Sequence, residues 1–257
     1  MDLPKNHFKA AISAGQVQIG LWSILSSHVT VEILAGAGFD WLVLDTEHAP
    51  NELPMVYSQL QAAAAGGDVS PVVRVPWNDM VTLKRYLDIG VQSFLIPYVE
   101  TAEEAAAAVS YTRYPPHGVR GYSAAPRASG FGRIKNYPLR CAEEIAVLVQ
   151  VETRKGLDNI EAIAAVEGVT GIFIGPGDLS AALGHVGNPK HPAVLTAIDD
   201  AICRITAAGK PAGILTPDET LARHYIELGC KFVAVGSDLG ILARTAEQLA
   251  AKFKTRG

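Results

Sequence analysis

The sequence predicts an α/β fold, a (β/α)8 barrel formed as one domain over residues 1–257, and three observations predict it. Eight short runs rich in Val, Ile and Leu recur along the chain, and longer, often alanine-rich segments of helical spacing separate them. No GxGxxG follows the first run, where an open doubly wound sheet would carry one, and the 257 residues match the roughly 250 of one barrel.

Taken in order, QIGLWSI (18–24) is followed by VTVEILAGAG, and WLVLDTE (41–47) by NELPMVYSQLQAAAA. PVVRVP (71–76) precedes DMVTLKRYLDIG, and SFLIPYV (93–99) precedes AEEAAAAVSYTR. AVLVQVE (146–152) leads into GLDNIEAIAAVEG, GIFIGP (171–176) into a segment ending in PAVLTAIDDAICRITAAG, AGILT (212–216) into DETLARHYIELG, and FVAVGSD (232–238) into LGILARTAEQLAAKF. Nearly continuous apolar runs suit parallel strands buried on both faces, and many of the helical segments stop at the glycine expected beyond a C-terminus. The rhythm breaks once, at 114–141, where Gly, Pro, Ser and Arg abound. A segment this long inside a compact domain is expected to be functional or independently folded, with part of it crossing the barrel.

Apolar residues make up 49% and charged residues 19%, which describes a globular chain with a sizeable core. A net charge of −4 offers no electrostatic footprint for nucleic acid or an anionic membrane, and no run of 18 apolar residues could span a bilayer. Cys141, Cys203 and Cys230 are odd in number and without a CxxC pair, so a reducing cytoplasm is expected rather than a disulfide framework.

In such a barrel the active site lies at the C-terminal ends of the strands, and several runs end in polar residues. The second ends in Asp45-Thr46-Glu47-His48, the third near Arg74, the fifth in Gln150-Val151-Glu152 and the sixth in Gly175-Pro176-Gly177-Asp178. Alternation puts Leu148, Gln150 and Glu152 on one face, so that face turns polar only at its last two positions. Carboxylates at a barrel mouth need a cation. Arg74 in an ion-pair network is one reading; a divalent cation such as Mg²⁺ or Mn²⁺, held by oxygen ligands, is the other. The GPGD turn adds free N–H groups that suit an anion, although tight turns use the same residues. His48 follows a strand end and is a candidate acid or base, whereas the other six histidines read as solvated. None of the eight runs contains a lysine, which disfavours Schiff-base chemistry.

The segments LAGAGFDWLVLDTEHAPN, PVVRVPWND, TRYPPHGVRG, VQVETRKGLDNI, GVTGIFIGPGDLSAALG and LGCKFVAVGSDLGILAR resemble the class II, divalent-metal-dependent pyruvate aldolases. The resemblance runs from about residue 8 to the C-terminus, and its wider superfamily includes citrate lyase β-type enzymes. It implies reversible aldol cleavage of 4-hydroxy-2-oxo acids, with pyruvate as enolate donor and an aldehyde as acceptor. Carried over by position, it implies metal binding by Glu152 and Asp178, with Mg²⁺, Mn²⁺ or Co²⁺ as cofactor and no organic cofactor. Gln150 and the N–H groups of Gly177 and Asp178 would hold the keto acid. Arg74 would face its 2-oxo oxygen, His48 supported by Asp88 would move protons, and Asp45 would orient the histidine or nearby solvent. Arg127 would approach the aldehyde's tail, and Leu215 and Thr216 would shape the pocket. The family's GPAD is GPGD here, so Gly177 is expected to loosen the donor pocket toward hydroxypyruvate. A homo-hexamer in which the last helix packs on a neighbouring barrel is implied as well. A coenzyme A thioester lyase and a non-catalytic keto-acid-binding barrel are the alternatives.

Overall fold

A computed structural model of the chain describes residues 1–254. Eight strands form one closed sheet in the order β1-β2-β3-β4-β5-β6-β7-β8, every neighbouring pair parallel, with β8 returning to β1. They are β1 (Gln18–Ser23), β2 (Trp41–Asp45), β3 (Ser70–Arg74), β4 (Ser93–Ile96), β5 (Ala146–Val151), β6 (Gly171–Ile174), β7 (Ala212–Leu215) and β8 (Phe232–Ser237). Each begins within a residue of its apolar run and stops one to three residues short of that run's end. The terminal residues leave the ladder to build the mouth of the barrel.

The period-2 alternation sorts each strand onto two cores. Leu42, Leu44, Val73, Phe94, Ile96, Val147, Val149, Ile172, Ile174, Ile214 and Val233 face outward onto the surrounding helices. Trp41, Val43, Val72, Leu95, Leu148, Phe173, Phe232 and Ala234 fill the interior. The helix α1 (His7–Ser13), absent from the sequence reading, presents Phe8 and Ile12 at i, i+4 to that interior and closes its lower end. Phe8 packs on Trp41 and Phe232 at centroid distances of 5.3 and 5.8 Å. Space for the two large rings comes from Gly20 and Gly213, where a Cβ would enter the Trp41 and Phe232 rings respectively.

Around the sheet lie α2 (His28–Ala35), α3 (Leu53–Gly66), α4 (Met80–Asp88), α5 (Ala102–Thr112), α6 (Tyr137–Arg140), α7 (Arg154–Asp158), α8 (Ile160–Ala164), α9 (Pro176–Ala182), α10 (Pro192–Ala207), α11 (Glu219–Leu228) and α12 (Asp238–Phe253). Local signals fix their starts. Asp79 caps α4, Asp218 caps α11, and Thr101 with Glu104 forms a capping box on α5. The segment GLDNIEAIAAVEG, read as one helix, is two, because the chain leaves helical geometry at Asn159. No helix of the described residues is long and apolar enough to cross a membrane.

The long segment before β5 does not reach the mouth of the barrel. It folds with the N-terminal arm at the opposite end, where Leu3, Ile134, Tyr137 and Cys141 share a small core. There Glu144 accepts the Asn6 N–H at 2.8 Å, and Asn6 Nδ2 donates to Ser93 Oγ at 2.9 Å.

Candidate active site

The inward faces of β2, β3 and β5 end in charged residues because the interior core stops one layer below them. Asp45, fully buried, accepts from Arg74 Nε at 2.9 Å and Nη2 at 2.6 Å, and from Trp22 Nε1 at 3.2 Å. Its Oδ1 also takes the backbone N–H groups of Glu47 and His48, at 3.0 and 3.4 Å. It therefore shapes the turn that carries the histidine, without touching the ring. Burial pushes the Asp45 carboxyl up, but the Arg74 guanidinium and these donors outweigh it and hold the group below the usual range. The guanidinium lies over Trp22, 5.0 Å from the ring centroid, and its Nη1 sits 3.0 Å from Glu47 Oε2 without the direction of a hydrogen bond.

Across the mouth, Glu152 is buried at 1% exposure and receives two donors: the Gln150 amide on one oxygen, and the Tyr98 backbone N–H on the other at 2.9 Å. Gly175 makes room for this pair. Any Cβ there would collide with Glu152 Oε2 and stand 2.8 Å from Gln150 Nε2, while the φ of −94° is open to every residue, so the requirement is purely steric. Asp178 sits half-buried in the first turn of α9. In that turn Leu179 N–H is the first with an intrahelical partner, Gly175 O at 3.0 Å, which leaves the Gly177 and Asp178 N–H groups free.

Cations are scarce here. Arg74 is committed to Asp45 and Glu47, and no strand contains a lysine. Burial pushes the Glu152 carboxyl up to about 7, against the pull of Gln150 and Tyr98, with Glu47 and Asp178 pushing in the same direction as burial. Burial likewise pushes Glu47 to about 7, opposed by Arg74 and reinforced by Asp45 and Asp178. Buried acceptors are also left over, namely Gln150 Oε1 and Glu47 Oε2. An all-oxygen donor set with uncompensated negative charge fits a hard divalent cation. Among the described residues no cluster of three or more His, Cys, Asp or Glu could hold it alone, so Glu152 and Asp178 would leave positions for water or substrate oxygens.

The other residues expected at the site divide into two groups. Thr216, 7% exposed, and Leu215, packed on the interior core, lie at the mouth as expected. His48 is there too, exposed, its Nε2 3.9 Å from Glu47 Oε1. Asp88 and Arg127 are not. Asp88 is the last residue of α4, which leads into the start of β4, so it lies at the N-terminal end of the barrel. Its carboxylate pairs with Arg120 Nη2 at 3.2 Å instead of with His48. Arg127 Nη1 donates to Ile89 O at 2.6 Å beside it. The sequence marks Glu47 and Gly175 only as members of the strand-end blocks, with no role assigned, and does not mark Tyr98. For Glu47 the signal was present, since alternation puts it on the face of Asp45.

Comparison with known proteins gives the family. The profile of the HpcH/HpaI aldolase/citrate lyase family matches residues 18–245. The chain belongs to that family. It is 58% identical over 255 residues to a pyruvate aldolase of Rhizobium etli, covering 99% of this chain and 100% of that one. It is 55% identical over 253 residues to a 5-keto-4-deoxy-D-glucarate aldolase of Escherichia coli, covering 98% of each. The crystal structure of an HpcH/HpaI aldolase/citrate lyase family protein from Burkholderia cenocepacia superposes with a TM-score of 0.94 at 40% identity, covering 98% of this chain and 100% of that one. The chain is thus an enzyme of the aldolase class of the HpcH/HpaI family.

The raised carboxyls give this HpcH/HpaI enzyme a pH signature in the absence of metal. Below pH 4.5 folded and unfolded chains both hold the Glu47 and Glu152 protons; between 4.5 and about 7 only the folded chain does, so its stability falls as pH rises and the loss is complete above 7. Glu152→Gln removes one such group, and Gln150 can turn its amide so that the unpartnered Oε1 accepts from the new side chain. In chelator, the Tm of Glu152→Gln is expected to match the wild type near pH 5 and exceed it by a few degrees at pH 8. A constant difference across that range contradicts the assignment.

Proposed function

We propose that the enzyme catalyses reversible aldol cleavage and addition of 4-hydroxy-2-oxo acids, with pyruvate or hydroxypyruvate as donor and an aldehyde as acceptor. The supporting observation is the pair Glu152 and Asp178, short of positive charge beside two free N–H groups. Two relatives matched over nearly their whole length are named pyruvate aldolase and 5-keto-4-deoxy-D-glucarate aldolase, which supports an aldol reaction.

In this reading Glu152 and Asp178 hold a divalent cation, Mg²⁺, Mn²⁺ or Co²⁺, which supplies positive charge where negative charge develops on the 2-oxo oxygen. The Gly177 and Asp178 N–H groups bind the donor carboxylate, and Gln150, whose amide nitrogen holds Glu152, keeps its Oε1 as an unpartnered acceptor beside the site. Arg74, fixed by Asp45, adds its remaining donor from the other side. His48, next to Glu47, takes the proton of the 4-hydroxyl in cleavage and returns it in addition. A lactate dehydrogenase-coupled assay over a panel of 4-hydroxy-2-oxo acids tests this. Pyruvate release is the expected result; metal and keto-acid binding without release from any member contradicts it.

A Cβ at Gly177 would meet nothing within 4 Å, so Gly177→Ala is expected to fold normally and to place its methyl in the donor space. The ratio of kcat/KM for hydroxypyruvate to that for pyruvate should drop about tenfold, the scale of one misplaced methyl group. An unchanged ratio removes Gly177 as the donor gate.

The same reading places the enzyme in a homo-oligomer, six subunits by the resemblance. The sixteen residues of α12 bury only Asp238 within the chain, while Leu239, Ile241, Leu242, Leu249 and Phe253 are exposed. Asp88 and Arg127 can act at a mouth only if a second copy presents its N-terminal end there. Coexpression of His48→Ala with Asp88→Asn, each inactive alone, should then restore a substantial fraction of activity. Two variants that never complement place Asp88 outside the site.

A further inference from the structure

Tyr98 stands out by conformation. Among the described residues four non-glycines have positive φ, and Tyr98, at 57°, is the one beside the carboxylates. The left-handed region is rare for a bulky L-residue and is kept only where the surroundings enforce it. Here they do. β4 leaves the ladder after Ile96, Pro97 has no N–H, and the Val99 N–H rejoins β5 at Gln150 O, 3.1 Å away. Between these points the turn at Tyr98 releases one N–H from the ladder and aims it into the mouth, where it meets Glu152 Oε1 at 2.9 Å. The ring, 41% exposed, is carried outward onto the more open Trp77, with centroids 5.9 Å apart.

Glu152 therefore has each oxygen held by a different donor, the Gln150 amide and a backbone N–H that cannot rotate away. Of the two, only the backbone donor depends on a strained φ. We infer that Tyr98 is a positioning residue for the cation site: its left-handed backbone fixes the Glu152 carboxylate in the orientation that presents its free lone pairs toward Asp178. The inference rests on the metal reading of Glu152 and Asp178 proposed above. Groups of this kind, one bond removed from a metal, typically change affinity 10- to 100-fold when lost.

The test separates backbone from ring. Tyr98→Asn and Tyr98→Val both delete the ring, but asparagine accepts the left-handed region and a β-branched residue does not. Mn²⁺ binding to each purified, metal-stripped protein is measured by titration calorimetry without substrate. Tyr98→Asn is expected to bind within about threefold of wild type and Tyr98→Val at least tenfold more weakly. Should Tyr98→Val fail to fold, Tyr98→Ala takes its place with the same order expected. Equal affinity in all three proteins, or equal weakening in both variants, overturns the positioning role. No Mn²⁺ binding by the wild type overturns the metal reading first, and the positioning role with it.

Discussion

Glu152→Ala is expected to lose divalent-cation binding and aldol turnover together, with kcat/KM falling by at least about three powers of ten. Three structural facts support so large an effect. Glu152 is buried at 1% exposure and Asp178 is half-buried, and in the proposed metal reading these two carboxylates hold the cation, so loss of Glu152 would leave a single anchoring side chain. Its carboxyl is raised to about 7 by burial and by neighbouring acids, the situation a bound cation reverses. The space around it is fitted to a carboxylate, since Gly175 admits no side chain there. Calorimetry with Mn²⁺ and the coupled pyruvate assay read the two losses separately. Turnover that survives in Glu152→Ala would mean that the carboxylate is structural.

Arg74→Ala carries the second large effect, and it falls on folding as well as on chemistry. The sequence leaves two readings of Arg74, an ion-pair partner or a group facing substrate. The structure shows the ion pair directly, with two guanidinium nitrogens on a fully buried Asp45 and the third near Glu47. Alanine would leave Asp45 buried without a cation, so a loss of about 3–5 kcal/mol in stability is expected. Arg74→Lys keeps the charge but cannot supply both donors to Asp45 while also reaching the mouth. It should fold with a smaller stability loss, bind cation, and lose about two to three powers of ten in kcat, the scale of one lost donor at a developing oxyanion. Denaturant unfolding and steady-state kinetics on the pair separate the roles. A fully active Arg74→Lys confines this arginine to holding Asp45.

Much of the barrel can be read from the chain because strands buried on both faces must be apolar throughout, so each strand appears as an unbroken run. Their ends are harder to read. A run such as SFLIPYV continues apolar past the last ladder residue, and only the packing shows that the chain has left the ladder at Pro97 and that the Tyr98 N–H has turned to Glu152. Helix α1 was illegible for a different reason: it has seven residues and buries two of them, Phe8 and Ile12, and what makes it a plug is the bare interior it meets.

Site legibility follows the same line. Polar residues closing an apolar run, such as Gln150, Glu152 and Asp178, announce themselves against their background. Which acid Arg74 would choose does not, since Asp45 and Glu47 share a face and only the depth of burial decides. For Asp88 and Arg127 the resemblance and the geometry of this chain part company, because the alternation of strand and helix already puts the end of α4 at the N-terminal end of the barrel. The φ of Tyr98 has no signature in sequence at all.

The most direct test of the account is pyruvate release from a 4-hydroxy-2-oxo acid by metal-stripped protein, followed in one cuvette before and after Mn²⁺ or Mg²⁺ is added. The account predicts no release above background in chelator and full turnover on addition of the cation. Undiminished release in chelator would contradict it.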